Sequence, residues 1–95
     1  MADAVKQICI IGSTLVEHLV DQQGQLILTQ IGGAGANVCI SLSHLLGEKA
    51  RITLLTMIGT DFLGRSVRGE LEKLGNVDLS LVQDVPHQIY SEGAI

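Results

Sequence analysis

The chemistry of this 95-residue chain concentrates in one short run, Gly32-Gly33-Ala34-Gly35-Ala36-Asn37, lying between a strand-like and a helix-like segment. Its three glycines free the backbone of Cβ and φ restrictions, and the first amides of a helix lack intrahelical acceptors. Such a bend can aim several unpaired N–H groups at ligand oxygens. Asn37, in the first turn, adds a carboxamide that both donates to and accepts from a hydroxyl. The combination suits a polyol.

Phosphate-loop readings fit less well. A Walker A loop requires GxxxxGK[ST], and the chain has no Lys-Ser or Lys-Thr pair. A dinucleotide fingerprint begun at Gly33 needs glycine at position 38, where Val38 stands, and follows the first strand of a sheet rather than a hairpin. Asp61 reads as a helix N-cap or loop former. His18, His44 and His87 share no metal-ligand spacing and read as surface residues. Cys9 and Cys39 sit in apolar segments with no CxxC, as reduced, buried thiols of a cytosolic protein do.

The elements that position these residues follow from hydrophobic period and glycine punctuation. Residues 5–12 form a short aliphatic run ending in Gly12, which predicts a central strand buried on both faces. Residues 14–20 and 25–31 are β-branched and aliphatic around Asp21-Gln22-Gln23-Gly24, a hairpin pattern. From 36 to 46, Val38, Cys39, Leu42, Leu45 and Leu46 share one helical face, with Gly47 as stop. Residues 51–58 return to a strand pattern. A second helix is predicted over 62–74, with Leu63, Val67, Leu71 and Leu74 inward and Gly75 ending it. A short strand over 77–82, a turn at Asp84-Val85-Pro86 and an extended piece from 88 onward complete an α/β order, with right-handed crossovers onto a largely parallel sheet.

Composition narrows the class. Hydrophobic residues make up 46% and charged residues 17% of the chain, which excludes a disordered segment. A single domain of this size buries only about 60–65% of its unfolded surface. A net charge of −4 with six scattered Lys and Arg residues leaves no basic stripe for a nucleic-acid partner. No apolar run approaches the roughly 20 residues of a membrane span, and the start shows no secretory signal pattern. The expected location is cytoplasmic. The last residues, Glu92-Gly93-Ala94-Ile95, read as the start of a strand, and the unpaired edge this implies points to a truncated fragment.

Three segments together resemble the amino-terminal region of the ribokinase-like (PfkB) carbohydrate kinases. They are Gly32 to Asn37, then Ile58-Gly59-Thr60-Asp61-Phe62-Leu63-Gly64-Arg65, then Leu71-Glu72-Lys73-Leu74-Gly75-Asn76-Val77-Asp78. The resemblance implies a partial Rossmann-type, largely parallel α/β sheet carrying a small β lid. Residues 1–95 would be an amino-terminal fragment, with lid strands at about 14–31 and the α/β part at 5–12 and 36–95. The implied activity of a full-length member is ATP- and Mg2+-dependent phosphorylation of a hydroxyl on a sugar or nucleoside, the small-molecule partner. In such a member Gly32, Gly33 and Asn37 would hold substrate hydroxyls. An aspartate that the family uses for substrate falls on Glu17, whose longer side chain moves the gripped hydroxyl about a bond length away.

Other departures are Leu15 where the family usually has Asn, Ala34 where the ribokinase subgroup has lysine, and a shorter lid. The family's catalytic base, Gly-Ala-Gly-Asp helix start and nucleotide site lie downstream of the positions matched here. No catalytic, cofactor or metal residue is therefore assigned in this chain. The alternative is a non-catalytic interaction or dimerisation module, a homo-oligomer built through the lid strands or an exposed sheet edge.

Overall fold

The computed structural model describes residues 4–94. In chain order these form β1 (Lys6–Ile11), β2 (Leu15–Val20), β3 (Leu26–Gly32), α1 (Ala34–Leu46), a 3-10 turn (Gly47–Lys49), β4 (Ala50–Leu55), β5 (Met57–Gly59), α2 (Phe62–Glu72), β6 (Val77–Asp78), β7 (Gln83–Val85) and β8 (Tyr90–Ala94). Three small sheets result, ordered β1-β4-β6, β3-β2-β8 and β5-β7. All pairings are parallel except that of β2 with β3. The expected α/β architecture with a lid hairpin is therefore present, and β8 adds a parallel third strand to the lid.

The core lies between the β1-β4-β6 sheet and the helices. Ile8 pairs with Ile52 and Ile10 with Leu54, so these side chains share one face. Helix α1 packs against β1 and β4, and α2 against β5 and β6. Ile52, Leu54, Ile58, Leu71 and Cys39 are fully buried there. Among the described residues no helix is long and apolar enough to cross a membrane.

Several local expectations change. β4, not β1, is the middle strand of its sheet, and only one face of β1 is covered: Cys9 is exposed and Ile11 is 75% exposed. On α1 the inward residues are Gly35, Ala36, Cys39 and Ser43, while Val38 and Leu45 face out. The predicted strand over 77–82 stops at Asp78, whose carboxylate takes the Ser80 amide at 2.9 Å and turns the chain. The expected turn at 84–86 instead contributes β7, because Met57 to Gly59 offers it a parallel partner.

Turns and caps explain the element limits. Asp21 Oδ1 accepts from the amides of Gln23 and Gln25, both at 2.9 Å, and Gly24 takes φ 78°, closing the hairpin. At the far end of α1, the Asn76 carboxamide donates to the carbonyls of Ser43 at 3.1 Å and Gly47 at 2.8 Å. It thus satisfies helix carbonyls that would otherwise lack partners.

Where β1 meets the start of α1, backbone lies on backbone. A Cβ on Gly12 would lie 2.8 Å from the Gly35 Cα, and one on Gly35 would lie 2.7 Å from the Gly12 carbonyl carbon. Gly35→Ala should therefore cost about 1–3 kcal/mol, the usual penalty of overpacking. By contrast, Gly69 has open space around its Cβ position inside α2, and Gly69→Ala should stabilise by about 0.5–1 kcal/mol. Urea unfolding of both variants, followed by circular dichroism, checks the opposite signs.

Candidate functional site

The start of α1 is assembled around Ser13, which lies between β1 and β2. Gly33 is the N-cap, at φ 93°, and a Cβ there would lie 2.6 Å from the Ser13 carbonyl oxygen. Only glycine fits this left-handed, crowded position. The Ser13 hydroxyl accepts from the Ala34 amide at 3.2 Å, and its carbonyl accepts from the Ala36 amide at 3.1 Å. Asn37 N–H donates to the Gly33 carbonyl at 2.9 Å. The expected set of bare amides is thus largely spent inside the protein, since a serine distant in sequence does the work of a cap.

Glu17 stands inside β2, opposite Gln30 in the hairpin register. One carboxylate oxygen accepts from Gln30 Nε2 at 2.9 Å. The other lies where a side chain on Gly32 would be, so Gly32 is required to make room for Glu17. Glu17 and Gly32 are therefore in contact, and Gly33 follows directly. Asn37 is exposed, one helical turn beyond Gly33. Chemically, this is a carboxylate held by a carboxamide over a glycine backbone, able to accept a hydrogen bond from an alcohol.

Two cavities flank the region. One, of about 350 Å³, is lined by Gly12, Ser13, Thr14, Leu55, Thr56 and Ile89 among others. It sits beyond the carboxyl ends of β1 and β4, where parallel sheets receive ligands. The second, of about 480 Å³, separates Val16, Thr29 and Ile31 of the lid from Ile40, Leu63 and Val67 of the helices. Neither is lined by residues 32–37.

A second polar centre escaped the sequence reading. Gln88, only 4% exposed, accepts from the Gly59 amide through Oε1 at 2.8 Å. Its Nε2 donates to the carbonyls of Thr14 at 3.2 Å and Ile89 at 3.1 Å. Nearby, the hydroxyls of Thr14 and Thr56 share a hydrogen bond of 2.9 Å. No periodicity marks Gln88, because two of its partners, Thr14 and Gly59, come from distant parts of the chain. Asp61 is the N-cap of α2, as its position suggests, accepting from Gly64 N–H at 3.0 Å and from Gln88 N–H at 3.1 Å. These two bonds hold its carboxyl below the ordinary value of 3.8, with exposed His87 a smaller contributor.

His18 departs from the surface reading, being half-buried between Thr29, 3.1 Å from its Nδ1, and the edge of Tyr90. Cys39 is buried as expected, and burial raises its thiol pKa. Among the described residues no three His, Cys, Asp or Glu side chains converge on a cation position.

A strand end, a glycine-headed helix start and a β lid carrying a carboxylate lie together in this region. The model of the pfkB family carbohydrate kinases matches residues 5–90, and the chain belongs to that family. A search of curated proteins gives no match. Among solved structures, ribokinase from Giardia lamblia is similar with a TM-score of 0.77 at 20% identity, covering 97% of this chain and 30% of that one. Aminoimidazole riboside kinase from Salmonella enterica follows with 0.74 at 22%, covering 94% and 28%. Fructokinase from Vibrio cholerae O395 gives 0.74 at 25%, covering 98% and 29%. The chain spans about three tenths of the length of these structures, and the fold is ribokinase-like.

The lowered Asp61 pKa has a definite sign. A depressed folded pKa gives stability that is present above the unfolded value and lost as pH falls through the folded one. Asp61→Asn keeps one acceptor of two, so it should unfold at lower urea than wild type at pH 7. That difference should shrink once the pH drops below 3.8. Urea midpoints of both chains across pH 2.5–7 test this, and a constant difference would contradict it.

Proposed function

We propose that this chain is the substrate-gripping, amino-terminal portion of an ATP-dependent kinase that phosphorylates a hydroxyl of a sugar or nucleoside. In this reading residues 14–31 form the lid and residues 5–12 and 36–95 the α/β part. The observation that carries it is the Glu17 carboxylate, packed over Gly32 at the entrance to the Gly33 helix start in a chain of this family. Glu17, seated over Gly32 beside the Gly33 helix start, accepts a substrate O–H, and Asn37 donates to or accepts from a second hydroxyl. The fructokinase relative was solved in a fructose, ADP and calcium ion bound form, which supports a sugar-like guest.

ATP supplies the phosphoryl group in the whole enzyme, and these residues bind and orient the acceptor alcohol. Phosphoryl transfer also needs a base and concentrated positive charge around the transferring group. No residue of this chain is assigned either task, so the chain alone binds without turning over. A cytosolic location accords with this reading and with the exposed Cys9 thiol.

A second reading, a self-associating module, has one observation in its favour. β3 lies at the edge of its sheet and exposes Leu26, Ile27 and Leu28 in succession, an arrangement that invites strand pairing. Light scattering decides it: a mass that doubles with concentration and reverts in Leu28→Lys supports the module.

For the principal reading, calorimetry with fructose and ribose should show that Glu17→Ala weakens binding about tenfold or more, as loss of a charged hydrogen bond does. Equal binding by wild type and variant would refute the role of Glu17. With ATP, magnesium and a sugar panel, the 95-residue chain should release no ADP, and clear turnover would overturn its assignment as non-catalytic.

A further inference from the structure

The lid meets the α/β layer at two points. β3 enters through Gly32 and Gly33, while β2 and β8 leave together: they pair in parallel from Val16 and Tyr90 onward, with Val16 N–H on the Ile89 carbonyl at 3.0 Å. Thr14 directly precedes β2, Gln88 lies two residues before β8, and the Gln88 carboxamide occupies the junction.

We propose that Gln88 is a positioning residue that latches the lid sheet to the α/β layer and thereby sets where Glu17 stands. Its contact to Thr14 spans 74 residues of sequence and its contact to Gly59 spans 29, so one side chain joins three distant segments. Its orientation has one solution. The oxygen must face the Gly59 N–H and the amino group must face two carbonyls, since the flipped amide would set donor on donor and acceptor on acceptor. The loop at Gly59 is held against the Gln88 backbone, because any side chain at 59 would overlap it. The Thr14 and Thr56 hydroxyls form a second rung beside the first. With the carboxamide removed, Gly59 N–H and Thr14 C=O lose buried partners, and the lid sheet is left to pivot about Gly33.

The role toward a ligand rests on the proposed function, whereas the latch itself does not. Native-state amide exchange of the 95-residue chain, read by NMR, separates the two. In Gln88→Met, amides of β2 and β8 should lose protection by about tenfold or more, the loss of about one buried hydrogen bond. Ile52 in β4 should stay within about twofold. Uniform loss across lid and core, or no loss, would refute the latch. If Gln88→Met does not fold, wild type decides: the Gly59 and Val16 amides should exchange through one common opening, below the protection of Ile52, and separate openings count against the latch. Fructose titrated into wild type tests the site reading independently, since absence of binding refutes that reading and leaves the exchange result standing.

Discussion

At Gly12 and Gly35 backbone lies on backbone because neither residue carries a Cβ, and that contact decides where α1 begins. With the helix start pressed onto the end of β1, Ser13 comes within reach of the Ala34 and Ala36 amides. The chain arriving from β3 must then squeeze past the Ser13 carbonyl, which forces φ 93° at Gly33. β2 starts two residues after Ser13, so the same contact also determines where Glu17 is carried. The relation between the lid carboxylate and the helix start is therefore set by two missing methyl groups, one on each side of the junction.

The device recurs at the second strand-to-helix junction. Gly64 in the first turn of α2 lies directly on the Gly59 backbone, with no room for a side chain between them. The two junctions differ in how the helix is capped. Asp61 caps α2 locally, three residues from the amide it receives, and a local cap is visible in sequence. Ser13 caps α1 from 21 residues away, and nothing in the spacing announces it. That difference explains why Asp61 could be read correctly as an N-cap while the helix start at 32–37 was expected to carry free amides. Gln88 was illegible for the same reason, as Thr14 and Gly59 converge on it only after the lid has folded back.

Element type was legible because aliphatic periodicity and glycine stops are local signals. Which face is covered was not always so. Ile8 to Ile11 is a continuous aliphatic run apart from Cys9, yet burial alternates along β1, because covering one face depends on α1 and the other on elements the run itself does not specify. On α1, Val38 and Leu45 extend the apolar stripe beyond the contact that β1 and β4 make, and small residues, Gly35, Ala36 and Ser43, take the inward places. Close approach of helix to sheet selects small side chains, a preference that hydrophobicity alone does not reveal.

The pairing of Glu17 with Gly32 bears on how the proposed site selects its guest. Glycine at a strand-to-helix bend is ordinarily read as room for a ligand, but here the vacant Cβ position of Gly32 is filled by the carboxylate of Glu17. In the proposed reading, a longer acid standing where the resemblance implies an aspartate has thus folded back onto the backbone, with one oxygen committed to Gln30. The oxygen over Gly32 is the one left to meet an alcohol. Reach gained by the extra methylene is spent lying along the glycine rather than extending into solvent. In the proposed reading, the accepted hydroxyl is then set by the height of Gly32 and the grip of Gln30 together. On that proposal Gln30, which carries no motif signature, shares in choosing the substrate through its bond to Glu17.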